Sequence, residues 1–123
     1  MSEFWEFVRE INFKNLKDID DEQSFNRKFS EMREKIQLKY TKNQLEKFSQ
    51  LYDQFERQIA NKYYEGSFHD QTLDALSFVI AEGDRFYDLL LNIKNNDLAH
   101  KIIKILYKRY KYEINFSWLF LKK

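Results

Sequence analysis

The sequence predicts an all-α fold, a single-domain bundle of four to five helices with mostly antiparallel neighbours. Hydrophobic residues recur at intervals of three and four along most of the chain, which is the spacing of a helix face. The 123 residues include no proline and only two glycines, so an all-β fold would lack its usual turn residues. A chain of this length is typical of one domain with its own core, and we therefore assign residues 1–123 to one helical domain.

The first two helices are predicted on either side of an acidic connector. Phe4, Val8 and Ile11 are spaced as one helix face, with Ser2 suited to cap the helix. Residues 13–23 show no such spacing and are predicted to be the connector. The second helix, capped by Ser24 or by an acid just before it, has the face Phe25, Phe29, Met32 and Ile36.

The third helix has the most regular pattern in the chain. Thr41 and Gln44 form a capping box, in which each side chain satisfies a free backbone N–H at the start of the helix. The helix is expected to end near residues 64–65, with Gly66 closing it. Its buried face alternates steps of three and four: Leu45, Phe48, Tyr52, Phe55 and Ile59.

The fourth helix is predicted to begin after Ser67 and to run to about residue 93. Gly83 lies on its apolar face, which consists of Leu73, Leu76, Ile80, Gly83, Tyr87 and Leu90. A glycine there favours close approach of a neighbouring helix or ring. The alternative is a break in the helix, with Asp84 capping a new short helix.

The fifth helix is predicted to begin after a cap signal at residues 95–97. Its face is Ala99, Ile103, Leu106, Tyr110 and Ile114. From Tyr110 onward, apolar and polar residues also alternate as in a strand. A lone strand would have no partner, so the helical interpretation is kept, and whether residues 110–121 are helix or strand stays open.

The charge is divided unevenly along the chain. The net charge of +1 conceals a balance of −5 in residues 1–93 and +6 in residues 94–123. On a continuous fifth helix, Lys101, Lys104, Lys108 and Lys111 would lie within an arc of about 80° opposite the apolar face. The basic C-terminal helix and tail, about residues 97–123, are therefore the region where we expect a partner to bind.

Several partners would suit this basic region. Lysines contact phosphates, and Tyr107 or Tyr112 could stack on bases, as in a nucleic-acid-binding regulator. An acidic protein partner would also be attracted to the lysines. Trp118, in the Trp/Phe-rich end of the chain, is a further candidate for contact with a partner or with an anionic membrane surface. A membrane surface is less favoured because the apolar tail is short. The lysines could also simply be solvated. They could instead be covered by the acidic residues 1–93 or by another copy of the chain in a homodimer. Asp84 and Asp88, one turn apart, are candidates for a partner-facing acidic pair rather than a metal site.

The sequence contains no recognised catalytic or cofactor motif. There is no cysteine, and His69 and His100 lie in no zinc-ligand pattern. Some helical-bundle ribonucleases carry an arginine five to seven positions before a histidine, and neither His69 nor His100 has an arginine at those positions. We expect no cofactor, no metal and no enzymatic activity, with a helical enzyme of unrecognised site as a remaining alternative.

The predicted function is therefore the binding of another macromolecule, and the partner that we expect is a protein. A compact bundle without a catalytic motif fits a small helical inhibitor, an immunity-type protein that neutralises a toxin, or a regulatory protein. Phe, Tyr, Ile, Asn and Lys make up 54 residues and Gly, Ala, Arg and Pro only 12, a bias typical of an AT-rich genome or mobile element. The aromatic excess alone is thus no argument for a binding surface. The sequence shows no secretory signal or membrane span, which predicts a cytoplasmic protein.

Overall fold

The computed structural model describes residues 2–63 and 70–122, with side chains for residues 3–63 and 75–122. The described residues form helices joined by loops, without strands, which confirms the all-α class. None of their helices is both long and apolar enough to cross a membrane. The α-helices are α1 (Ser2–Ile11), α2 (Glu22–Lys39), α3 (Lys42–Tyr63), α4 (Asp70–Ala81), α5 (Asp84–Asn92), α6 (Asn96–Arg109) and α7 (Phe116–Phe120), and a 3-10 helix spans Phe13–Leu16.

The caps of three helices match the local sequence signals. The Asp21 carboxylate accepts hydrogen bonds from the backbone N–H and the hydroxyl of Ser24 at the start of α2. At the start of α3, Gln44 and Thr41 exchange the two bonds of a capping box, 2.8 and 3.2 Å long. Asn95 caps α6 through the backbone N–H of Leu98. The expected cap at Ser67 lies outside the described residues, as does the Ser2 side chain.

The core is built from the predicted helix faces. Every residue of the α2 and α3 faces is buried, as are Ala99, Ile103, Leu106, Tyr110 and Ile114. Aromatic rings join the elements: Phe7 of α1 stacks on Phe48 of α3 at 5.0 Å between ring centroids, and Tyr52 of α3 stacks on Phe116 of α7 at 4.6 Å. The aromatic residues therefore hold the N-terminal, central and C-terminal helices around one core.

Gly83 separates α4 from α5, so the favoured interpretation of one continuous helix was wrong and the alternative of a break is confirmed, although Gly83 rather than Asp84 is the N-cap residue of α5. Its backbone has φ of 106° and ψ of 176°, a conformation that is essentially restricted to glycine. A Cβ atom at this position would have nothing within 4 Å, so close packing is not the reason for the glycine. The glycine is needed because this backbone conformation separates the end of α4 from the start of α5.

The end of the fifth predicted helix also differs from expectation. Helix α6 ends at Arg109, residues 110–115 are neither helix nor strand, and the short α7 follows. Both this interruption and the break at Gly83 raise the number of α-helices among the described residues to seven, rather than four to five. The residues after Tyr110 do not extend α6, because Tyr112 bonds to Asp20 and α7 packs against α2 and α3.

Candidate partner-binding surface

Helix α6 carries three stripes of side chains along its length. The buried stripe is Ala99, Ile103 and Leu106, which pack into the core. On the opposite side lies the basic face, defined by Lys101, Lys104 and Lys108. Between the two lies the apolar flank, defined by Leu98, Ile102 and Ile105. At 100° per residue the basic face occupies about 60° of the helix circumference and the apolar flank borders it directly.

The basic face is exposed and has no counter-charge among the side chains that the structure describes. Lys101, Lys104 and Lys108 are all exposed to solvent. None of them forms an ion pair or a hydrogen bond with a residue that the structure describes. Three of the four predicted lysines are thus brought together on one exposed side of α6.

The apolar flank was missed by the sequence analysis. Leu98 is 48% exposed and Ile105 is 58% exposed, while Ile102 is partly buried against the core. The spacing of these residues, four and then three, was visible in the sequence, but the stronger buried stripe of the same helix obscured it. An exposed apolar stripe beside a charged one is a feature of protein-binding surfaces.

Lys111 does not belong to the basic face as predicted, because α6 ends at Arg109, and Tyr112 lies next to it outside the helix. Both lie beyond the end of α6, and both contact Asp20 in the connector before α2. Lys111 forms an ion pair with the Asp20 carboxylate. The Tyr112 hydroxyl donates to the Asp20 carbonyl oxygen at 2.6 Å, and its ring packs 5.1 Å from that of Phe25. Tyr112 is therefore engaged within the fold.

Arg109 strengthens this connection between the end of α6 and the connector. Its guanidinium contacts the Asp18 carboxylate at 2.6 Å, and the backbone N–H of Asp18 donates to the Arg109 carbonyl oxygen at 2.9 Å. Hydrogen bonding to Arg109 lowers the pKa of Asp18 below its usual value. Part of the positive charge of residues 94–123 is thus neutralised by the acidic connector, and the charge that remains exposed is concentrated on the basic face.

The C-terminal segment is anchored to α2 by groups that the sequence did not single out. Arg33 is 6% exposed and donates to the carbonyl oxygens of Trp118 and Leu121, at 3.0 and 2.8 Å. Lys122 donates to carbonyl oxygens at the end of α2 and just after it, those of Gln37 and Tyr40. Trp118 is 37% exposed, and its ring lies 5.4 Å from the Phe29 ring and 4.5 Å from the Arg33 guanidinium, so it takes part in this anchor.

The two acidic candidates lie on α5. Asp84 is its first residue and lines a cavity of about 290 Å³, whose other charged lining residues are Arg9, Lys14, Glu82 and Arg85. Asp88 is exposed one turn later. The cavity lining therefore mixes both signs of charge. Asp84 and Asp88 form no ion pair with a described residue.

Other buried polar groups are paired within the fold. Glu82 accepts hydrogen bonds from Lys17 at 2.8 Å and from the Tyr110 hydroxyl at 3.1 Å, which joins the end of α4 to the connector and to the end of α6. Burial and the nearby Glu82 raise the pKa of Tyr110. The Tyr52 hydroxyl donates to Glu56 at 2.7 Å. Within residues 2–63 and 70–122, no group of three or more acidic, histidine or cysteine side chains is arranged to hold a metal ion.

Comparison of the chain with known protein families, with curated proteins and with solved structures found no match.

Proposed function

We propose that this chain is a non-enzymatic protein that acts by binding an acidic protein partner through α6, in the manner of a small inhibitor, immunity-type or regulatory protein. The observation that carries the proposal is the basic face itself. Three exposed lysines lie together without a counter-charge among the described residues, beside the exposed Leu98 and Ile105.

The apolar flank favours a protein over a nucleic acid. Lys101, Lys104 and Lys108 would suit phosphates as well as carboxylates. Leu98 and Ile105, however, offer nothing to a phosphate backbone, whereas they match the apolar contacts of a protein interface. Of the two tyrosines suited to stacking on bases, Tyr112 is held by Asp20 and Phe25, whereas Tyr107 is 39% exposed on α6. The nucleic-acid-binding regulator is therefore the alternative that the experiment must distinguish.

Site-specific photo-crosslinking in the native cells tests the proposal. Ile105 is replaced by p-benzoylphenylalanine, and Leu38, which is 89% exposed at the end of α2, is replaced in a control chain. We expect one discrete protein adduct from position 105, insensitive to nuclease, and none of this mass from position 38.

Charge reversal then identifies the surface. The triple variant Lys101→Glu, Lys104→Glu, Lys108→Glu should lose the adduct. A matched variant, Lys35→Glu, Lys42→Glu, Lys47→Glu, makes the same charge change at exposed lysines of α2 and α3 and should retain it. No protein adduct, a nuclease-sensitive adduct, or equal loss in both triple variants would refute the proposed function.

A further inference from the structure

We infer that the partner element bound by α6 is an acidic amphipathic helix lying along α6 at a shallow crossing angle. This inference rests on the proposed function and specifies the partner's secondary structure and side-chain pattern. It follows from the geometry of the two exposed stripes, from the length of the surface and from its charge.

The repeat of the stripes matches a helix and not an extended segment. Leu98, Ile102 and Ile105 are separated by four and three residues, and the basic face by three and four. The first and last residues of either stripe are seven positions apart, which is about 10.5 Å along the α6 axis. In an extended chain, three successive side chains on one face span four positions, or about 13 Å, so they would fall out of register with the three residues of a stripe by about 3 Å. A second helix has the same repeat and stays in register.

The side-by-side order of the stripes defines the partner's pattern. In packed helix pairs an apolar seam is flanked by charged residues that pair across the contact. The apolar flank of α6 supplies the seam and the basic face supplies one charged border. A complementary helix needs leucine or isoleucine at alternating steps of three and four, with Glu or Asp along the side that meets the lysines. From Leu98 to Lys108 the surface is about 15 Å long, or about three helical turns.

A second copy of this chain fits less well than a separate partner. Helix α1 presents Glu3, Glu6 and Glu10 with the same spacing as the three lysines, and all three are exposed. Glu10, however, already pairs with Lys39, and the large apolar residues of α1 are buried in the core or packed against it. Helix α1 could therefore match the charges of α6 but would leave Leu98 and Ile105 without apolar contacts.

The spacing of crosslinks along the partner tests the inference. Chains with p-benzoylphenylalanine at position 98 or at position 105 are crosslinked separately, and the attachment sites on the partner are sequenced. A helix aligned with α6 gives sites about seven residues apart. An extended segment gives sites about three residues apart and would overturn the inference while leaving the proposed function intact. Attachment to Glu3–Glu10 of a second copy would likewise overturn it, and the absence of any protein adduct would overturn both.

Synthetic peptides provide an independent test with the purified full-length chain. Two fluorescent peptides of about 18 residues share one composition rich in Leu and Glu, but only one arranges them on adjoining helix faces. We expect the ordered peptide to bind at least about tenfold more tightly than the shuffled one. Leu98→Ser with Ile105→Ser should remove this preference, and Leu38→Ser should not. Equal binding of the two peptides, or binding of neither, would show that α6 does not recognise a helical pattern.

Discussion

Arg33 joins α2 to the C-terminal segment, and its replacement by methionine tests how strongly that segment is held. The guanidinium donates to the carbonyl oxygens of Trp118 and Leu121 at 3.0 and 2.8 Å. It also lies 4.5 Å from the centre of the Trp118 ring. Methionine retains an unbranched apolar side chain, so Arg33→Met removes the charge and the donors while leaving most of the packing of the stem.

The expected destabilisation follows from these contacts. A hydrogen bond from a charged donor contributes about 1.5–3 kcal/mol, and a cation–π contact about 0.5–2 kcal/mol. Two effects reduce the sum. Both carbonyl oxygens keep another donor, the Leu121 N–H or the Gln37 amide, and removing a buried charge recovers its desolvation free energy. We therefore expect Arg33→Met to lower the free energy of unfolding by about 2–4 kcal/mol.

Urea denaturation followed by far-UV circular dichroism measures this loss, and hydrogen exchange shows where it arises. Backbone amides of residues 116–121 should exchange faster in the variant. Arg27→Met is the matched control, because Arg27 lies on the same helix, is exposed and forms no hydrogen bond with a described residue. If Arg33→Met lowers stability by less than about 0.5 kcal/mol, or no more than Arg27→Met does, the proposed anchor is wrong.

Three further predictions concern the core, the break between α4 and α5, and a partly buried carboxylate. Phe48→Ala should lower the free energy of unfolding by about 3–5 kcal/mol, because the ring is 2% exposed and stacks on Phe7; a loss below about 1 kcal/mol in urea denaturation would contradict the core described here. Gly83→Ala should cost about 1–3 kcal/mol although its Cβ meets open space, because the backbone conformation itself is strained for alanine; unchanged thermal stability would contradict this. Burial raises the pKa of Glu56 above 4.5, so its ionised form is disfavoured in the folded protein. The free energy of unfolding therefore decreases as the pH rises from the pKa of Glu56 in the unfolded chain through its higher pKa in the fold. Glutamine cannot ionise, so Glu56→Gln should gain stability relative to the wild type between pH 4 and pH 7. If urea titrations at the two pH values give the same difference in stability, burial of the Glu56 carboxyl is not the cause.

The helix faces and caps could be predicted from the sequence because they depend on neighbouring residues. The Thr41–Gln44 capping box and the Asp21 cap involve residues three positions apart, and the α3 face follows from the helical repeat alone. The basic face was predicted for the same reason, since Lys101, Lys104 and Lys108 lie within one helix. Local spacing also contained the apolar flank, but it could not show that Leu98 and Ile105 remain exposed.

Local sequence patterns were therefore enough to predict the apolar side of the helices, the caps of α2, α3 and α6 and the basic side of α6. The end of α6 depends on contacts between distant parts of the chain, because Arg109 and Tyr112 are held by Asp18 and Asp20, 91 and 92 positions earlier. Such contacts bring together residues whose pairing no local spacing specifies. They hold Lys111 and Tyr112 within the fold, while the three lysines of the basic face stay exposed.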